Sequence, residues 1–235
     1  MTGRSPYRVG LEWCAFAEED LVVGRVGSGA AEPPGARDAL LTLTVGARPT
    51  AAGVAVMVDA TLPEEANAVR RAFAGLRQEP PARDFVELEA CVQGFVERAR
   101  EQLHQRPGHG ASVTAVAWCG AEGVVWHVGE VRAYSLSRGH VRRLTTDDTF
   151  QTTRGAWILT RSLGLGRDEP TVTRVSLDGV SDLLLCSSGA HRHADDASFD
   201  VLSQDWSRPA QAIDVLRRAR AGDPGSGLVA LVRRS

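Results

Sequence analysis

The stretch Val128-Gly129-Glu130-Val131-Arg132-Ala133-Tyr134-Ser135-Leu136, running on through Arg138-Gly139-His140 to Arg143-Leu144-Thr145-Thr146-Asp147-Asp148, decides how this chain is read. Short apolar runs on either side of Arg138-Gly139 predict two strands, Ala133 to Leu136 and His140 to Leu144, with the glycine supplying the turn. Upstream, Ser112 to Trp118 and Val124 to Val128 read as two more strands, separated by Gly120 and Gly123. Before them the period changes. Phe85, Leu88, Cys91, Val92, Phe95, Val96, Ala99 and Leu103 recur at three- and four-residue steps, which predicts a helix from about Asp84 to His104. Pro63 opens another helix to about Leu76, with Glu64 and Glu65 in the first turn, where they complement the helix dipole.

Further out, Leu40 to Val45 and Gly53 to Val58 read as strands with a turn at Ala47 to Ala52. Val172 to Leu177 and Asp182 to Ser187 form another pair, followed by helical stretches near Asp195 to Ser203 and Pro209 to Ala221 and a strand at Leu228 to Arg233. Strands, two helices, many strands, two helices and a strand are grouped elements, so the expected class is layered α+β rather than alternating βαβ. Residues 1–37 are expected to form an N-terminal segment packed on one domain of residues 38–235, because the first 25 residues are too few and too polar for a core of their own.

Composition removes several chemistries. The chain has 235 residues, 27 basic and 29 acidic, for a net charge of −2, and every basic residue is arginine. Without lysine there is no Schiff base, P-loop amine, kinase strand lysine or Ser-Lys dyad. The charge balance gives nucleic-acid binding no support, and no apolar run is long enough to cross a membrane. Cys14, Cys91, Cys119 and Cys186 are far apart and form no CxxC, so reduced thiols and a cytoplasmic protein are expected. Cys186, His191, His193, Asp195 and Asp196 crowd together, but their spacing matches no zinc module. His191-Arg192-His193 is expected on a polar loop.

The opening stretch resembles the VGDSRAYL…G…LT.DH pattern of metal-dependent PP2C-type (PPM) serine/threonine phosphatases. Leu159-Thr160-Arg161-Ser162-Leu163-Gly164 is similar to the family's LTRALG, Leu183 to Gly189 to its LLLCSDG, Gly110 to Val116 to its GTTAV strand, and Val54 to Asp59 to the strand that ends in DGMGG. The resemblance covers roughly residues 38 to 234 and implies a four-layer α-β-β-α sandwich. It implies two bridged Mn²⁺ or Mg²⁺ ions, held mainly by aspartates, that activate water against phosphoserine and phosphothreonine. Hard cations need oxygen ligands, and clustered carboxylates are tolerable when divalent charge offsets their repulsion.

On this resemblance Asp38, Asp59 and the Ala60 carbonyl stand at metal positions, Asp223 at another if its loop is two residues longer, and Glu130 where relatives bind a third metal. Four positions depart from the pattern. Arg37 replaces a glutamate, Pro33 a phosphate-binding arginine, and Ser188 a ligating aspartate, while gapless alignment puts Gly225 at the aspartate of a terminal DNIT motif. Asparagine occurs only at Asn67, so that motif cannot be intact. Read without the resemblance, Asp59 is a turn or N-cap residue before the Pro63 helix, and Asp38 and Asp223 are loop aspartates. Only Thr149 to Ile158 separate the LT.DH-like and LTRALG-like motifs, where relatives carry a helical flap. The expectation is a centre that holds Mn²⁺ or Mg²⁺ weakly or not at all, in a pseudophosphatase that binds a phosphoprotein, a Ser/Thr kinase or another protein; the alternative is an active, atypical Mn/Mg-dependent phosphatase.

Overall fold

A computed structural model describes residues 21–26, 38–45, 52–76, 84–105, 108–137, 140–166, 168–180, 182–191 and 227–233, with backbone alone at 21–26, 38–45 and 227–233. The elements are β1 (Leu21–Val26), β2 (Asp38–Val45), β3 (Ala52–Ala60), α1 (Pro63–Leu76), α2 (Phe85–His104), β4 (Ala111–Cys119), β5 (Glu122–Val128), β6 (Arg132–Ser137), β7 (His140–Arg143), β8 (Thr149–Gln151), β9 (Trp157–Leu159), β10 (Thr171–Ser176), β11 (Asp182–Cys186), α3 (Ser188–His191) and β12 (Gly227–Arg233). Two five-stranded sheets form, in the orders β10-β5-β4-β3-β2 and β1-β12-β11-β6-β7, and β8-β9 stands apart as a two-stranded hairpin. This is the α+β class read from the element order.

The apolar run of β3 is continuous because both of its faces are buried. Val54, Val56 and Val58 join Ala66, Val69 and Phe73 of α1 and Val92, Phe95 and Ala99 of α2 in one core, which places both helices on one face of the first sheet. Ala55 and Met57, on the opposite face, pack with Val116, Val125, Ala133, Leu183 and Leu185 between the two sheets. The far face of the second sheet is buried as well, at Tyr134, Leu136 and Leu184. The helices expected near 195–203 and 209–221, which would supply the fourth layer, lie outside the described residues.

Local chemistry explains the joints. Asp84 caps α2 by accepting from the Glu87 amide, and Phe73 meets Phe95 edge to face at 5.6 Å where α1 crosses α2. Gly53 pairs with Trp118 in the β3–β4 ladder. A Cβ there would come within 2.4 Å of the Trp118 ring, so only glycine lets the indole lie across β3. Among the described residues Cys91, Cys119 and Cys186 form no disulfide. Among the described residues no helix is long and apolar enough to cross a membrane.

Thr149 to Ile158, the short stretch between the two motifs, belongs to the β8–β9 pair: Thr149 is opposite Leu159, Phe150 opposite Ile158 and Gln151 opposite Trp157. One expectation needs correction. His191 is not on a polar loop but in α3, 2% exposed. Leu21–Val26, within the expected N-terminal segment, is an edge strand paired to β12.

Candidate functional site

Both sheets present strand ends at one edge of the sandwich. In the first sheet the ladder register places Asp38 opposite Asp59, and Asp59 opposite Ser112. Ala60 is opposite Ala111, which in turn bridges Leu163. The β5–β6 turn arrives at the same rung, because the Ser112 hydroxyl accepts from the Glu130 amide at 3.2 Å. Gly129 in that turn has φ +102°, and a Cβ on it would lie 2.3 Å from Ser112 Oγ and 2.7 Å from its Cα. Glycine is therefore what lets Glu130 approach the strand ends.

The second sheet contributes Ser188, at the start of α3. Its amide donates to Asp59 Oδ2 at 2.7 Å, a charge-assisted hydrogen bond that joins the end of β3 to the start of α3. At the far end of α3, His191 Nε2 donates to the Glu130 carbonyl at 2.6 Å. Burial holds the His191 imidazole far below its ordinary range, at about 4, with the Arg132 charge adding to the effect, so the ring is neutral near pH 7.

Of the positions read as metal sites, Asp38, Asp59, Ala60 and Glu130 are thus brought to one edge, Asp38 by its backbone place alone. Asp223, Gly225, Pro33 and Arg37 lie outside the described residues. Ser188 stands beside Asp59, as its place in the LLLCSDG-like motif requires, but it offers a neutral hydroxyl and uses its amide to hold Asp59. Among the described residues no group of three His, Cys, Asp or Glu side chains is arranged to hold a metal ion. Asp59, Glu130 and Ser188 do not by themselves fit a two-metal centre, whose paired cations need more carboxylate charge than two side chains carry.

Sequence reasoning gave Glu65 only a place against the α1 dipole, and gave Asp147 and Asp148 no role, yet these carboxylates brace this edge. Asp147 accepts from Arg132 Nη2 at 2.7 Å and Nε at 3.0 Å, and from Arg143. Burial works against its ionisation, but the two guanidiniums outweigh it and hold the carboxyl below its usual range. Asp148 Oδ2 accepts from the Gly129 amide at 2.9 Å, the Asp148 amide donates to the Gly129 carbonyl at 2.7 Å, and Asp148 Oδ1 pairs with Arg161 at 3.2 Å. Glu65, 3% exposed, accepts from the amides of Thr61 at 2.9 Å, Leu62 at 2.8 Å and Gly110 at 2.9 Å, clamping the β3–α1 turn to the β4 entry. Its signal was half present: a glutamate reaching back from the first turn of a helix is one arm of a capping box, but Leu62 replaces the usual Ser or Thr. Asp147 and Asp148 were visible in the LT.DH-like motif, although spacing alone did not reveal their arginine partners.

No family model matches the chain. It is 28% identical over 137 residues to the serine/threonine protein phosphatase PstP of Mycobacterium tuberculosis, a match that takes in 50% of this chain and 27% of the relative. The chain therefore spans about a quarter of the length of the curated relatives it matches. The crystal structure of the catalytic domain of PstP in complex with two manganese ions superposes with a TM-score of 0.62 at 22% identity, over 91% of this chain and 98% of that one. Serine/threonine phosphatase Stp1 from Staphylococcus aureus superposes with a TM-score of 0.72 at 15% identity, over 90% and 94%. The fold is that of PP2C-type phosphatases, as the motif order implied.

Proposed function

We propose that this PP2C-fold chain is a pseudophosphatase: it keeps the cleft edge of a bacterial serine/threonine phosphatase but uses it to bind a phosphoprotein, a Ser/Thr kinase or another protein partner. One observation carries the reading. Ser188 replaces a carboxylate with a hydroxyl, and its amide satisfies Asp59 Oδ2 at 2.7 Å. The negative charge of Asp59 is thereby offset by a fixed peptide dipole, a task that divalent cations perform in a two-metal centre. Arg37, Pro33 and Gly225 in the sequence point the same way.

The competing reading, an atypical Mn²⁺- or Mg²⁺-dependent phosphatase, is favoured by the convergence of Asp38, Asp59 and Glu130 on one rung. Hydrolysis of p-nitrophenyl phosphate and of a phosphothreonine peptide, with Mn²⁺ and with EDTA, separates the two. The pseudophosphatase reading expects no Mn²⁺-dependent turnover, with retention of the phosphopeptide in a binding assay. Turnover that needs Mn²⁺ and disappears in Asp59→Ala overturns it.

A further inference from the structure

We infer that the β8–β9 hairpin is a docking edge for an extended segment of a protein partner, apolar with an acidic residue at one end, which adds to it as a third strand. The hairpin exposes Phe150 at 50%, Trp157 at 51%, Ile158 at 43% and Leu159 at 39%. Phe150 and Ile158 are register partners on one face, while Trp157 and Leu159, flanking Ile158, lie on the other. A strand pair apolar on both sides has no solvent face. It is also too short to be stable alone, since two-stranded hairpins in water are marginal.

The two-sided exposure selects the occupant. A flat partner covers one face and leaves the other wet. A strand added along an edge projects alternate side chains to both faces and so covers both, while its backbone satisfies the free edge. Among the described residues β8 and β9 pair only with each other, so each keeps one open edge.

Area argues against a second copy of this chain. At those exposures the four side chains leave roughly 350 Å² of apolar surface open, taking about 150–250 Å² for each side chain. A twofold contact would bury roughly 700 Å², short of the roughly 1,200–2,000 Å² of specific protein interfaces. Divided between the two faces of the hairpin, that area suits a short peptide that reaches both. Charge sets the polarity of the segment. Arg154, exposed in the turn between the two strands, is the one charged residue from Thr149 to Thr160. At the other end Asp148 is already engaged by Arg161 and Gly129.

The test uses the full chain and two fluorescein-labelled six-residue peptides of valine and phenylalanine, one ending in two glutamates and the other in two lysines. Neither carries phosphate, so the outcome is independent of the proposed role of the cleft. The glutamate peptide is expected to bind at least tenfold more tightly at low salt, Arg154→Glu to reverse that preference, and Ile158→Lys to weaken both by at least tenfold with an unchanged thermal midpoint. Equal binding of the two peptides, or indifference to Arg154→Glu, overturns the inference. So does a concentration-dependent dimer in light scattering that Trp157→Ser abolishes, which would assign the hairpin to a second copy.

Discussion

Replacing Asp59 by alanine tests the strand-end edge through the sign of a stability change. The Asp59 carboxylate accepts the Ser188 amide at 2.7 Å across the two sheets. Hydrogen bonds to charged groups contribute about 1.5–3 kcal/mol net, so Asp59→Ala should cost about 2 kcal/mol. The loss should be equal in EDTA and in Mn²⁺, because the bond it removes involves no cation. A metal-bridging aspartate behaves in the opposite way. With metal removed its charge meets only other carboxylates, and deleting it relieves repulsion. With Mn²⁺ at 100 times the dissociation constant the parent chain gains about 2.7 kcal/mol, which the variant forfeits. Urea unfolding of both proteins in EDTA and in Mn²⁺ gives the four free energies needed. An Asp59→Ala variant that is neutral or more stable in EDTA, together with a parent chain stabilised by Mn²⁺, would falsify the proposed role of Ser188.

Ser188→Asp should destabilise the chain in EDTA by about 3 kcal/mol, the repulsion of two carboxylates about 5 Å apart at an effective dielectric constant of about 20. Mn²⁺ should recover part of that, read as a thermal shift absent in the parent protein. Glu65→Ala should cost about 3 kcal/mol in urea unfolding, since it orphans three amides at once, and Glu65→Gln should cost visibly less because an amide oxygen still accepts. Acid should weaken the fold through two imidazoles. His127, held between Thr114 Oγ1 and the Thr146 carbonyl, is shifted down chiefly by burial, and His191 is shifted down to about 4. Their folded values lie below the unfolded value of about 6.5, so the unfolded chain binds more protons in that window and stability falls as pH drops from about 6.5 towards 4. At pH 5 the His191 part amounts to about 2 kcal/mol, and His191→Gln should flatten the pH dependence of urea unfolding by that amount.

The frame of the molecule was legible because burial writes itself into local sequence. β3 is apolar at every step from Val54 to Val58 since helices cover one side and a second sheet the other. The face of α2 followed from residues three and four apart. Motif order singled out Asp59, Glu130 and Ser188, and the fold brings these three positions to one edge. The site was not legible where a contact spans long sequence separations: no local pattern tells that the Ser188 amide, 129 residues from Asp59, ends against its carboxylate. His191 was misread because histidine beside arginine and aspartate looks solvated, whereas α3 turns it inward onto the Glu130 carbonyl. The β8–β9 hairpin escaped notice because three-residue strands are shorter than any window in which alternation can be seen.

The order of the strands also sets a timetable. The sheet that carries α1 and α2 is complete once residue 176 has been made, and its strands β2 to β5 pair with neighbours in sequence. The other sheet cannot close then, because β12, at residues 227–233, lies between β1 and β11. During synthesis β1 must wait, unpaired, for a strand about 200 residues away, and chain closure over such separations is slow. The edge where Asp59 meets Ser188, which needs α3 from the late sheet against β3 from the early one, is therefore assembled only after residue 191 has been made, however early its aspartate emerges.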